Sequence, residues 1–426
     1  MKLKKIIAVM AVAGVTLPGV AMATNGMFAD GYGMTAAGMG GAATAMSEDT
    51  FGGANNPASM VFVGNRLDLG ASLFSPHRQA SSGFAGAVGG QANEDSDSNY
   101  FVVPEFGYNK MINANLSLGV SLYGNGGMNT NYAGGTVPAG VCGPNKANML
   151  CGQGNLGVNL EQLILAPTVA FKINDSNSIG ISPLLGYQRF MAQGLQAFEG
   201  ISASPNNVTN NGYDQSYGTG VRVGYMGIIS PQLTFGAAYS SKVTFGTMSK
   251  YSGLFAGGGS LDLPENYSVG LAYKATPALT IALDYQRINY AGVAAIGNSS
   301  SNSFTTANKL GTNGGSGFGW QDINVWKLGG EYKYNDNWTL RAGWNHGDNP
   351  ITPADVTFNI IAPGVITDHL TMGASYANAN GGILTVAYTH GFENSVTGPD
   401  LLLQGQGSDT IRMYQDIVGV AYAWKM

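Results

Sequence analysis

From about residue 60 onward, this chain alternates apolar residues with small or polar ones. Trp326, Leu328 and Tyr332, for example, are separated by single residues such as Lys327 and Glu331. A period of two places successive side chains on opposite faces of a β-strand. No apolar run in this region reaches the roughly 20 residues that a membrane-spanning helix needs. The pattern therefore excludes a helical membrane protein and predicts strands.

About fourteen such runs can be counted, and the segments between them are alternately short and long. The runs begin near Arg66, Tyr100, Leu116, Glu161, Ser178, Gly218, Leu233, Glu265, Leu279, Val325, Trp338, Asp368, Gly382 and Tyr414. Short turns on one rim and long loops on the other are typical of outer-membrane barrels. We therefore predict an all-β protein, a transmembrane antiparallel β-barrel of about fourteen strands.

The composition agrees with an interleaved pattern. Hydrophobic residues make up 44% of the chain and charged residues only 11%, yet the mean hydropathy is +0.02 because 64 glycines and many small polar residues lie between the apolar ones. That much apolar material argues against disorder. A secreted soluble sandwich or propeller would also alternate, but its water-facing side would carry more charge. Small side chains on the second face favour a narrow lumen.

The N-terminus has the pattern of a cleaved signal peptide. Lys2, Lys4 and Lys5 precede the apolar run 6–20, and Ala21-Met22-Ala23 follows. We expect cleavage after Ala23 and export to the bacterial outer membrane. Without the three lysines, 17 basic and 25 acidic residues remain, so the net charge changes from −5 to −8. This balance excludes nucleic acid as a partner, and we expect a monomer in contact with outer-membrane lipid.

The two cysteines, Cys142 and Cys151, lie close together in a segment rich in Gly and Pro. In an exported chain, such a pair predicts a disulfide that stiffens a loop. A metal site is the alternative, but two thiolates without a nearby histidine fall short of four ligands.

Residues 24–60 do not alternate and are rich in Gly, Ala and Met. A fourteen-stranded barrel is wider than one that its own side chains fill, so we interpret this segment as a hatch that plugs the lumen. The predicted organisation is thus a signal peptide (1–23), a hatch (24–60) and a barrel (61–426).

Several motifs resemble the FadL family of outer-membrane long-chain fatty acid transporters, which includes relatives for aromatic hydrocarbons. They are TNGMFADGYG from residue 24, GMGGA from 38, Asn56-Pro57-Ala58, LDLPE from 261 and NDNWTLRAGWNHGDNPITP from 335. The resemblance implies an N-terminal hatch and a third strand that bends inward and opens the wall sideways. The third strand here loses its alternation at Gly124, Gly126 and Gly127. Clustered glycines mark either a bend or the end of a strand.

A fatty-acid carrier needs an apolar pocket and a cation that meets the carboxylate. Lys327 lies on the small, polar face of its strand, and both it and Arg189 match basic positions of the family by context. Arg189 shares the parity of Ile179 and Ile181, so a lumenal position would require a bulge; a charge at the rim is the alternative for both residues. Leu254 and Phe255, in a long loop, are candidates for an outer landing groove.

Catalytic and cofactor motifs are lacking in the sequence. The segments GMGGAA and GYGMTA fit a dinucleotide pattern by letters alone, without the required strand–helix context, and the four histidines are scattered without metal-site spacing. We expect no cofactor, no metal and no enzyme activity. The predicted function is uptake of hydrophobic small molecules, foremost long-chain fatty acids, with lateral exit at the third strand. Alternatives are hydrocarbon uptake, a general-diffusion porin or an outer-membrane lipase.

Overall fold

The computed structural model describes residues 24–426, so the expected signal peptide lies outside the described residues. Fourteen long strands form one sheet. They are β1 Arg66–Ser81, β2 Phe101–Met111, β3 Leu116–Asn129, β4 Gly157–Asn174, β5 Asn177–Gln193, β6 Asp214–Ser230, β7 Leu233–Ser240, β8 Asn266–Lys274, β9 Leu279–Ile288, β10 Ile323–Lys333, β11 Trp338–Gly347, β12 Asp368–Ala377, β13 Gly382–Pro399 and β14 Ser408–Lys425. Two short strands, Asn93–Asp95 and Thr244–Phe245, extend the sheet beside β1 and β6.

Each long strand pairs antiparallel with its neighbours in the chain, and the sheet closes on itself. The closing ladder joins β1 to β14 without a shift, from Arg66 opposite Lys425 to Ser81 opposite Thr410. Closure gives every long strand two paired neighbours, as a barrel in a bilayer requires. The predicted antiparallel barrel of fourteen strands is therefore confirmed, and most strands begin within a few residues of the predicted positions.

The helical elements of residues 24–426 are all short. The helices are α1 Met34–Ala37, α2 Met60–Val63, α3 Gly83–Ala87, α4 Ala256–Gly259, α5 Ala294–Gly297, α6 Asn302–Thr305 and α7 Val356–Asn359. Single 3₁₀ segments cover Pro57–Ser59, Gln196–Ile201, Pro205–Asn207, Ser249–Tyr251, Tyr290–Gly292 and Pro353–Asp355. Among residues 24–426, no helix is long and apolar enough to cross a membrane.

The side-chain alternation has the predicted sense. On β10, Trp326 and Leu328 are 51% and 50% exposed on the outer face, whereas Lys327 and Glu331 are buried on the inner face. One inward ion pair joins neighbouring strands: Arg341 on β11 lies 2.7 Å from the Glu331 carboxylate. Apolar residues therefore face lipid, and small or polar residues face inward.

The long loops gather at the rim opposite the short turns and form an apolar core of their own. Its largest fully buried side chains include Trp320, Tyr132, Tyr251 and Tyr290. Cys142 and Cys151 form a disulfide in the loop between β3 and β4. These packed loops cover the outer end of the barrel.

Candidate functional site

Residues 24–64, called here the N-terminal segment, contact the inner face of every one of the fourteen strands. Inward-facing glycines make this possible, because a Cβ at these positions would approach an atom of the segment to about 3 Å or less. They are Gly107, Gly180, Gly224, Gly236, Gly329, Gly343, Gly373 and Gly419. The remaining strands contact the segment through side chains, such as Ser268 on β8, Ala387 on β13 and Ala170 on β4. Part of the excess of glycine thus has a structural cause: it lets the segment lie directly against the wall.

On one side of the barrel, a carboxylate on β9 and an ammonium on β10 hold the segment. Asp284 Oδ2 accepts hydrogen bonds from the backbone N–H groups of Ala43 and Thr44 at 2.9 and 2.8 Å. Lys327, opposite Asp284 in the ladder, donates from Nζ to the Asp30 carbonyl at 2.6 Å. Lys327 thus faces inward, as expected. Its ammonium is already bound to the segment, however, and is therefore not free to bind a ligand.

The tripeptide Asn56-Pro57-Ala58 fastens the segment to the wall at β5 and β6. Asn56 Nδ2 donates to the carbonyls of Thr44 and Tyr225 at 2.8 and 2.9 Å, and its Oδ1 accepts from the Ala58 N–H at 3.1 Å. Pro57 begins the 3₁₀ turn that Asn56 caps. Asn56 and Ala58 are fully buried, so the motif acts as a structural clamp between the segment and β5–β6.

An acidic and basic cluster holds the segment near the rim of the short turns. Arg66 lies 2.8 Å from the Asp68 carboxylate, which also accepts from the Thr50 hydroxyl at 2.7 Å. Burial and the neighbouring Asp68 raise the pKa of Asp49 to about 6, and the Arg66 guanidinium opposes this shift. Asp49 therefore changes its charge within the range of environmental pH.

The wall is not continuous between β2 and β3. Their ladder ends at Glu105 opposite Tyr123, although β3 continues to Asn129 in pairing with β4. The register with β4 shifts between Gly124 and Gly126, so Asn125 is the extra residue of a bulge. We call the stretch after Tyr123, where β3 does not pair with β2, the gap.

Around the bulge, β3 is buried on both faces and no longer presents one face to the lipid. Six consecutive residues, 123–128, are buried, where a lipid-facing strand would alternate. Asn125 accepts a hydrogen bond from the Tyr32 hydroxyl at 2.9 Å, and the rings of Tyr32 and Tyr123 lie 4.4 Å apart. The N-terminal segment thus contacts the bent part of β3 directly.

A cavity of about 40 Å³, called here the gap cavity, adjoins the gap. Its walls come from the segment at Tyr32 and Met34, from β2 at Val103 and Pro104, and from β3 at Tyr123. A volume of this size holds little more than one water molecule. A larger guest would enter only if the segment or β3 moved.

Arg189 does not reach the lumen. Its strand pairs with β6 without a shift from Asn177 to Phe190, so this ladder lacks the bulge that an inward position would require. The guanidinium lies on the outer face, 2.7 Å from Glu161 and over the Tyr213 ring at 4.7 Å. The hypothesis of a lumenal cation at this position is therefore corrected to a paired charge near the outer rim.

Leu254 and Phe255 do not form an open landing groove. Phe255 is 3% exposed, and its ring packs 4.7 Å from that of Phe190, while Leu254 packs partly buried against the same loop core. The predicted landing groove is therefore wrong at these residues, which stabilise the loop core because their neighbours cover them.

Sequence reasoning missed the partners that hold the segment. Asp284 is an isolated carboxylate at an inward-facing position in the run LTIALDYQRI, a signal that parity alone could have revealed. Asp30 offered no such signal, because its backbone carbonyl, and not its side chain, accepts the hydrogen bond from Lys327. Within residues 24–426, no group of three His, Cys, Asp or Glu side chains is placed to hold a metal ion.

Comparisons with known proteins agree with this architecture. A family model described as outer membrane protein transport protein (OMPP1/FadL/TodX) matches residues 10–401. The structure of the toluene transporter TodX of Pseudomonas putida is 18% identical, with a TM-score of 0.69 over 95% of this chain and 100% of that chain. The toluene transporter TbuX of Ralstonia pickettii is 18% identical, with a TM-score of 0.63 over 93% and 98%. A FadL homologue of Pseudomonas aeruginosa is 16% identical, with a TM-score of 0.67 over 94% and 99%. No curated protein sequence matches the chain.

Proposed function

The chain belongs to the OMPP1/FadL/TodX family of outer membrane transport proteins, and on that premise we propose that it takes up long-chain fatty acids by diffusion through a ligand-gated barrel. The N-terminal segment acts as the hatch. Ligand passes the outer loops, displaces the hatch locally and leaves sideways through the gap into the bilayer.

The observation that carries this proposal is the meeting of three features at one place. The gap, the gap cavity and the hatch residue Tyr32 all adjoin the bent part of β3. A hydrophobic ligand has a lower free energy in lipid than in water, so an exit through the side of the barrel suits it. The hatch contacts every strand, which disfavours an open aqueous pore as an alternative.

The gap is tested by restoring a regular β3. Deleting Asn125 removes the extra residue of the bulge and should let β3 continue straight beside β2. The substitution Asn125→Ala is the matched control, because it keeps the residue count and therefore the bulge. We expect the deletion variant to lose uptake of labelled oleate by at least about tenfold in cells, whereas the control retains uptake. Unchanged uptake by a folded deletion variant would refute lateral exit.

Uptake of monoaromatic hydrocarbons is the second candidate. TodX and TbuX, whose structures resemble this barrel, are toluene transporters, and the apolar walls of the gap cavity suit either ligand class. Parallel uptake assays with labelled oleate and labelled toluene separate the two, since only the transported class should depend on the bulge at Asn125.

A further inference from the structure

Arg78, on the inner face of β1, is a buried cation whose hydrogen-bonding capacity is only partly used. It is 4% exposed. Its Nη2 donates to the Ser96 hydroxyl at 3.1 Å and to the Ser98 carbonyl, while its Nε is buried without a partner. The hydroxyl of Tyr132, near enough to interact with the guanidinium electrostatically, is also buried without a partner.

The other arginines of the chain are differently placed. Five form ion pairs with carboxylates: Arg66, Arg189, Arg287, Arg341 and Arg412. Arg222 has no carboxylate but donates to the carbonyls of Gly53 and Ala54 and to the Tyr123 hydroxyl. Within the part of the chain that the structure describes, Arg78 forms no ion pair. A buried charge is costly unless it is paired, so an anion from outside the chain would stabilise the Arg78 guanidinium.

Arg78 lines a second cavity, of about 30 Å³, called here the outer cavity. Apart from Arg78, its walls are largely apolar and include Phe74 on β1, Met128 on β3, Trp320 and Pro363 in the outer loops and Met413 on β14. One cation among apolar walls suits a ligand with one anionic end and a hydrocarbon body. A carboxylate matches best, because it accepts the parallel N–H bonds of a guanidinium.

Strand β1 contributes inward residues to both the outer cavity and the gap cavity. Inward positions of β1 continue from Arg78 through Pro76 and Phe74 to Ser72, which lines the gap cavity. Phe74 lines the outer cavity, and its ring lies 6.0 Å from that of Phe101 on β2. A headgroup at Arg78 would therefore direct its alkyl chain along β1 toward the exit.

We propose that Arg78 is an anion subsite that holds the carboxylate of an amphipathic ligand in the outer cavity before the alkyl chain reaches the gap. This inference rests on the proposed uptake function and adds to it the residue that distinguishes fatty acids from neutral hydrocarbons.

The test compares two ligands of equal chain length, decanoate and decan-1-ol, by calorimetric titration of the purified full-length barrel. Arg78→Gln removes the charge. Arg78→Lys keeps the charge but lacks the planar pair of N–H donors that a guanidinium presents to a carboxylate. Arg412→Gln is the matched control, since Arg412 lies exposed on the outer face of β14. Resistance of each folded barrel to unfolding by detergent at room temperature verifies its integrity.

We expect Arg78→Gln to weaken decanoate binding about ten- to hundredfold, the range for a lost hydrogen bond to a charged group. Decan-1-ol binding should change little, and Arg78→Lys should restore part of the preference for the acid. Equal effects of Arg78→Gln on both ligands, or none on either, would overturn the subsite while leaving uptake intact. If the wild-type protein binds neither ligand, the proposed function fails and the subsite with it.

Discussion

Replacing Asp284 with alanine should release the hatch from the wall. The Asp284 carboxylate accepts two backbone hydrogen bonds from the hatch, at Ala43 and Thr44, and faces Lys327 across the ladder. The substitution removes both acceptor contacts at once. It also leaves two buried N–H donors unpaired and takes a carboxylate away from a buried ammonium.

The size of the effect follows from these contacts. Hydrogen bonds to a charged group contribute roughly 1.5–3 kcal/mol each. Even if the two bonds together contribute only about 3 kcal/mol, the ratio of docked to released hatch falls about a hundredfold, since 1.4 kcal/mol corresponds to a factor of ten. Asp284→Asn, whose amide oxygen still accepts hydrogen bonds, should show a smaller loss.

Single-channel recording in planar bilayers measures this directly. We expect frequent ion-conducting openings in Asp284→Ala, few in Asp284→Asn and almost none in the wild type. Asp416→Ala is the control, because Asp416 lies on the outer face and is paired with His390. If the folded Asp284→Ala barrel conducts no more than the control, then these bonds do not keep the hatch closed and the reasoning is refuted.

Three further predictions concern the hatch and the loops. Gly329→Val should raise ion leakage, because the valine side chain would overlap the hatch at a cost of about 1–3 kcal/mol. Gly330→Val, on the outer face, should not raise leakage. Equal leakage in both variants would show that overlap with the hatch does not release it. Because the pKa of Asp49 is raised to about 6, hatch docking should be firmest below about pH 4, where the carboxyl is protonated, and should weaken as the pH rises through 6. At pH 7, Asp49→Asn should conduct less than the wild type, and its conductance should be nearly independent of pH. A wild-type pH response in the variant would contradict this. Cys151→Ser breaks the disulfide to Cys142 and should speed proteolysis of the loop between β3 and β4 without unfolding the barrel. An unchanged cleavage rate would show that other contacts are enough to hold the loop in place.

Much of the barrel could be predicted from local patterns. The alternation of Trp326 and Leu328 with Lys327 reflects backbone geometry with a period of two, which holds wherever a strand lies between lipid and lumen. For the same reason, Lys327 was correctly placed inward, and the regular parity of Arg189 already argued against a lumenal position.

The partners of these residues could not be predicted in the same way. Lys327 meets the Asp30 carbonyl across a sequence separation of 297 residues, and Phe255 is buried only because distant loops pack over it. Likewise, the sequence marked Gly124 as a bend or an end, but it did not show that β3 continues unpaired beside β2.

The sequence by itself determined the strands, their two faces, the short and long connections and a separate glycine-rich N-terminal segment. Only the tertiary structure decided what the segment binds, where the wall opens and which hydrogen bonds the buried Arg78 makes. The physical reason is that strand periodicity is local, whereas the lumen is formed only when β1 pairs with β14 and brings all inward side chains around one axis. Arg78 illustrates the difference: its sequence context marks an inward residue, and its lack of a carboxylate partner becomes visible only in the closed barrel.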